Sequence, residues 1–304
     1  MKTSMAVVNM TDPQRRINKK IVMKSLVIIT LFLLPTFLVA QIDLPAASPD
    51  ASWNHQLGFT QISLSYSRPH MRGRKVFGEL VPFNVLWRTG AGESTRIKFS
   101  EDINFGGQIV KKGSYSLYSI PAADEWTIIL NEDATLHGDF GYDEKKDVLR
   151  IKVKPIKSAE TNESFTIELT NFKPDYSATL QLKWENTTIQ IPIVSNANSK
   201  IMAQIQENLI HNKVENAALL NKGAQYYFSQ KKDLNQALFW SEKSQSIVAD
   251  NFNYVYLTTK ILESLKRYPD AIQSAKKAVE LGRKKDMVDE VKQLELKIAE
   301  WKNY

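Results

Sequence analysis

The sequence predicts a chain of more than one domain: an all-β antiparallel sandwich followed by an all-α region of repeated helical hairpins. Three observations carry this expectation. Apolar and polar residues alternate from about Gln56 to Val194, and apolar residues recur at helical spacing from about Ser199 to Tyr304. Between the two regimes lies a small polar stretch, Ser195-Asn196-Ala197-Asn198-Ser199, which reads as a linker. The expected divisions are 1–40 for a leader, 47–194 for the β domain and 199–304 for the helical domain.

The leader comes first. Lys2, Arg15, Arg16, Lys19, Lys20 and Lys24 stand against Asp12 alone, and an apolar run from Leu26 to Val39 then ends on Ala40. A basic stretch, a short apolar core and a small terminal residue describe a secretory signal peptide, here cleaved near Ala40; an uncleaved anchor is the alternative. The run contains Pro35 and falls short of the roughly 20 residues that a spanning helix needs. Met23 directly precedes Lys24 and the apolar run, which makes it an alternative start. The mature chain is therefore expected outside the cytoplasm, periplasmic or extracellular, with no transmembrane segment.

Composition excludes several function classes. The chain has no cysteine, which removes disulfides, thiolate metal sites, a cysteine nucleophile and a lipid-modified cysteine behind the leader. Its net charge of +7 sits mostly in the leader; without those residues 34 basic stand against 32 acidic ones. A nucleic-acid partner is not expected from so balanced a body.

The β elements follow from period two. Ile62, Leu64 and Tyr66 alternate with serines; Leu149, Ile151 and Val153 with Arg150, Lys152 and Lys154; Ala178, Leu180, Leu182 and Trp184 with Thr179, Gln181 and Lys183. Each describes a strand with one buried face. Further strands are expected at 95–100, 107–111, 114–120, 126–131, 164–170 and 187–193, separated by Gly-, Pro-, Asp- and Asn-rich breaks. In the helical region Ala237 and Ala271 lie 34 residues apart, each following a set of apolar and aromatic residues, and Ala271, Ala275 and Ala278 place small side chains on one helix face. From Asn216 to Gly282 this pattern resembles tetratricopeptide repeats. It departs from them in lacking a Leu-Gly pair in the first helix and in placing Pro269 just before the second helix of its unit. Ile201 to Asn212 and Met287 to Trp301 are expected to flank the hairpins as capping helices.

The densest run of unusual residues is Ser65-Tyr66-Ser67-Arg68-Pro69-His70-Met71-Arg72-Gly73-Arg74, continuing to Phe83 and through Trp87-Arg88-Thr89-Gly90-Ala91-Gly92-Glu93. With Gly113-Ser114-Tyr115-Ser116-Leu117-Tyr118 and Trp126-Thr127-Ile128-Ile129, it closely resembles the DUF2911 family over about Ala47 to Val194. That resemblance implies an extracytoplasmic β domain and a Bacteroidetes-type source, and brings no established activity with it. Guanidinium groups bind carboxylates, phosphates and sulfates in fixed geometry and stack on aromatic rings. Arg68, Arg72, Arg74, Trp87, Arg88 and Glu93 are therefore the candidate ligand-binding residues. The competing reading has the arginines pair with Glu79, Glu93 and backbone carbonyls to stiffen a long loop.

Signs of catalysis are sparse. No Gly-x-Ser-x-Gly, P-loop or dinucleotide fingerprint is present, and His55, His70, His137 and His211 show no ligand spacing. A metal set of His137, Asp139 and Asp143, or an acid pair from Glu79, Glu93 and Asp102, would each need the fold to bring its members together. Otherwise His137 to Tyr142 reads as a turn-rich connection. Tyr254 and Tyr256 are candidates for a partner-binding face of the helices. The functional expectation is a non-enzymatic binding or scaffolding protein, with no cofactor and no metal. Its helices would contact an unidentified protein partner, and its β domain would hold an anionic or carbohydrate ligand. The alternative is a hydrolase of envelope or other glycans, with its site on the Arg68–Glu93 loop.

Overall fold

The computed structural model describes residues 44–304; the expected leader and the choice of start lie outside the described residues. Ten strands come first: β1 (Asp50–Leu57), β2 (Thr60–Ser67), β3 (Ala91–Phe99), β4 (Ile103–Phe105), β5 (Gln108–Val110), β6 (Gly113–Ile120), β7 (Trp126–Asn131), β8 (Asp147–Val153), β9 (Ile156–Thr170) and β10 (Ser177–Ser195). They pair antiparallel in two sheets, one ordered β1-β2-β3-β6-β7-β8 and the other β5-β4-β10-β9. Buried side chains from both sheets form one hydrophobic cluster, as in a sandwich.

Three elements escape the periodic reading, β4 because three residues beside a glycine pair are too short to show a period. β1 carries mostly exposed polar residues, as an edge strand does, and its few inward residues do not mark it as a strand. β10 was expected as two strands and is one. Ala178, Leu180, Leu182 and Trp184 are buried at even positions, whereas Ile189, Ile191 and Ile193 are buried at odd ones. The change of parity is made at Glu185, which adopts a left-handed φ of 51° and is flanked by register shifts against β9. An extra residue in one strand lets both halves face the same core; in the sequence the phase break reads as a gap.

Six helices follow: α1 (Ala197–Ile205, continued by a π-helical turn at Gln206–His211), α2 (Ala217–Ser229), α3 (Leu234–Ile247), α4 (Phe252–Ser264), α5 (Tyr268–Arg283) and α6 (Val288–Trp301). From α2 onward each helix packs on the next. Ala237, Ala271, Ala275 and Ala278 are fully buried at these crossings, as their spacing predicts. Gly223 is another small residue buried on α2, where a Cβ would make the Leu209 Cδ1 methyl turn aside. Pro269 occupies the first turn of α5, where a missing N–H breaks no helical bond.

The expected linker is not a free tether. Ser195 ends β10 and Ala197 begins α1, leaving Asn196 as the cap. Lys200 pairs with Glu101 at 2.8 Å, Tyr226 donates to Asn198 Oδ1 at 2.7 Å, and Gln230 donates to the Pro174 carbonyl at 2.8 Å. From Ala46 on, strands and helices belong to one compact unit. Among the described residues no helix is long and apolar enough to cross a membrane.

Candidate functional site

The segment between β2 and β3 is anchored on both sheets. Met71 N–H donates to the Glu163 carbonyl and Phe165 N–H to the Pro69 carbonyl, tying the near end to β9. Trp87 and Ser119 exchange backbone hydrogen bonds at 2.8 and 2.9 Å, tying the far end to β6. Trp87 points inward and is only 8% exposed. Its ring stacks on Trp184 at 5.9 Å and 22°, with Phe77, Trp126 and Phe165 around it, and its indole N–H donates to the Gly90 carbonyl. A buried indole needs such a partner. Trp87 was expected as a loop residue open to ligands; it is the floor of the site and part of the core.

Above that floor lies a cleft of about 350 Å³ lined by Arg74, Leu80, Val85, Trp87, Arg88 and Trp184, among others. Leu80 and Val85 are exposed apolar side chains on its rim. Of the six candidate ligand residues, the cleft gathers Arg74, Trp87 and Arg88. Glu93 lines a separate cleft of about 340 Å³ with Asp50, Ser65 and Arg96. Arg68 reaches across to the Phe165 carbonyl and Thr166 Oγ1, and Arg72, at φ 51°, donates to the Ala47 carbonyl at 2.7 Å.

The partners expected for the arginines, Glu79 and Glu93, are engaged elsewhere. Glu79 pairs with Lys75, and Glu93 pairs with Arg96 and with His137 Nδ1 at 2.7 Å. Arg88 instead takes Asp139 at 3.2 Å and the Gly92 carbonyl at 2.8 Å. Its guanidinium lies flat on Gly138, where a Cβ would stand 2.5 Å from Nη1. Gly138 has φ 67°, so the position demands glycine on both counts. Arg88 thus clasps the loop after β7 to the segment entering β3, and the Tyr118 hydroxyl adds a bond to the Gly138 carbonyl.

Arg74 is held differently. Its Nε donates to the Met71 carbonyl at 2.9 Å and its Nη2 to the His70 carbonyl at 2.8 Å. Carbonyls fix its direction without cancelling its charge. Among the described residues no carboxylate forms an ion pair with it, and its Nη1 has no partner.

The catalytic alternatives find little geometry. Glu79, Glu93 and Asp102 each bond a different cation, Asp102 taking Lys111. His137 is on Glu93, Asp139 is on Arg88, and Asp143 caps the 3-10 turn at Glu144–Lys146. Among the described residues no three acids or histidines stand where they could hold a metal. His70 Nδ1 does meet Ser164 Oγ at 2.7 Å, but at a strand bridge, and neither residue lines the cleft. On the helices Tyr254 and Tyr256 lie two residues apart on α4 and so do not share a face. Tyr256 stacks on Phe252, and the Lys260 ammonium sits 4.6 Å above its ring.

Sequence reasoning missed Leu80, Val85 and Trp184 as walls of the cleft, and Asp139, named only as a metal-ligand candidate, as the partner of Arg88. Trp184 sits in an alternating strand and reads as core, and Asp139 lies in a turn-rich segment whose docking partner is about fifty residues away. The aromatic spacing around Trp87 and Trp126 was the available signal that several rings converge. Neither the curated proteins nor the solved structures contain a match to this chain. Residues 48–193 match the family model described as protein of unknown function, DUF2911.

Proposed function

We propose that the chain is an exported, non-enzymatic binding or scaffolding protein of the cell envelope. Its β region holds a small ligand bearing an anionic group, such as an acidic sugar, in the cleft between Arg74 and Arg88, and its helices contact a protein partner. The observation that carries this reading is a guanidinium, that of Arg74, held by two carbonyls beside an aromatic floor. A carboxylate or sulfate entering the cleft would gain a charge-assisted bond to Nη1. The apolar walls would cover the body of the ligand, as in most small-molecule sites. The basic-then-apolar start of the sequence supports export. A hydrolase would require two carboxylates or a Ser–His pair facing the cleft, and the acids and His70 are committed outside it.

The test uses glucuronate as probe with the purified full chain. Millimolar glucuronate should raise the melting temperature of the wild type, because it binds only the folded state, and should leave that of Arg74→Gln unmoved. An equal rise in both proteins, or none in the wild type, would remove the reading.

A further inference from the structure

A second cleft, away from the arginines, lies where the first helices meet the β region. It has a volume of about 420 Å³ and is walled by Phe59 and Tyr176 from the β side and by Ile201, Ile205, Leu209 and Leu219 from the helices. Phe59 is 50% exposed at its mouth. Leu209 belongs to the π-helical turn at Gln206–His211; such turns widen a helix locally and recur at functional sites. The deep side is Gly223, where any side chain would strike Leu209.

The charge at this cleft is singular. Lys222 is the one charged residue lining it; the other polar lining groups are the side chains of Gln204, Gln225, Tyr226, Tyr176 and Ser229. Among the described residues no carboxylate pairs with Lys222; nearby Lys200 and Lys243 each have a glutamate, while Lys213, Lys231 and Lys232 have none. The Tyr226 hydroxyl is already committed to Asn198. An apolar concavity of this size with one uncompensated ammonium at its rim is complementary to an apolar body that ends in a single negative charge.

We propose that this junction cleft binds an amphiphilic anion, an aliphatic chain with a carboxylate head, its chain lying against Ile205, Leu209 and Phe59 and its head meeting Lys222. The site is independent of the arginine cleft, so either can fail alone.

Calorimetric titration of the full chain with decanoate, below its micelle concentration, and with decanol as the uncharged counterpart tests it. One decanoate should bind per chain. Lys222→Gln should weaken decanoate roughly tenfold, about 1.4 kcal/mol, and leave decanol unchanged. Gln225→Trp, at an exposed wall position with no side-chain hydrogen bond to lose among the described residues, should block both ligands without lowering the melting temperature. The proposal is overturned if neither compound binds, if Lys222→Gln weakens both equally, or if Gln225→Trp binds as the wild type does. It is also overturned if sedimentation shows this face closed by a second copy of the chain that decanoate does not displace.

Discussion

Arg74 and Arg88 line the same cleft, yet the regions that carry them are built on different terms. The stretch around Arg88 is closed: Asp139 opposes its charge, Gly92 takes a donor, and Gly138 gives the guanidinium a flat bed. The stretch around Arg74 is open, since the guanidinium is positioned by carbonyls and retains its charge. The charge of Arg88 is opposed where it stands, whereas that of Arg74 remains available to a ligand. Sequence cannot distinguish them, because both appear as arginines in a glycine-rich loop.

The floor common to both regions should give the largest effect. Trp87→Ala empties the centre of a five-ring cluster, and large-to-small changes of aromatic core residues cost about 3–5 kcal/mol. Urea unfolding should show that loss; a change below about 1 kcal/mol would mean that the rings are not packed as described.

Breaking the closed region should cost less. Arg88 is 32% exposed, so the figure for a fully buried ion pair does not apply. Loss of its two bonds in Arg88→Ala should cost about 1–2 kcal/mol. Gly138→Ala should reproduce much of that loss by lifting the guanidinium and straining a left-handed residue. If Gly138→Ala is neutral while Arg88→Ala is not, the flat bed has no role in the clasp.

The same loop supplies a smaller, pH-dependent effect. The Thr135 hydroxyl first, and the Lys146 ammonium next, hold the Asp133 carboxyl down at about 2, below its ordinary 3.8. A group depressed in the folded state stabilises fully above 3.8 and loses that contribution as pH falls toward 2. Asp133→Asn should therefore melt closer to the wild type at pH 2 than at pH 6. A gap between the two proteins that is constant over that range would show that the carboxylate is not linked to folding.

The fold was largely legible because its signals are local. Alternation marks β2, β8 and the first half of β10, and the small residues Ala237, Ala271 and Ala275 mark the helix crossings. What escaped was set by tertiary contact. β1 is a polar edge strand that becomes a strand by pairing with β2, and the two halves of β10 join through a bulge at Glu185 that only the common core explains. The site followed the same rule. Residue types identified the arginine segment, but which arginine is neutralised depends on Asp139 and Gly138, which meet Arg88 only after β7 has paired with β6.

The most direct measurement compares Arg74→Ala and Arg88→Ala with the wild type, melting each with and without glucuronate. Without the probe, Arg74→Ala should melt only slightly below the wild type, since its two carbonyl bonds are local and exposed, and Arg88→Ala, which unlinks segments about fifty residues apart, several degrees lower. With it, the wild type and Arg88→Ala should both rise, the latter less if Asp139 swings into the cleft, and Arg74→Ala should not move. An Arg74→Ala protein that melts as low as Arg88→Ala without the probe, or that keeps the rise on adding it, would contradict the division between a closed and an open arginine.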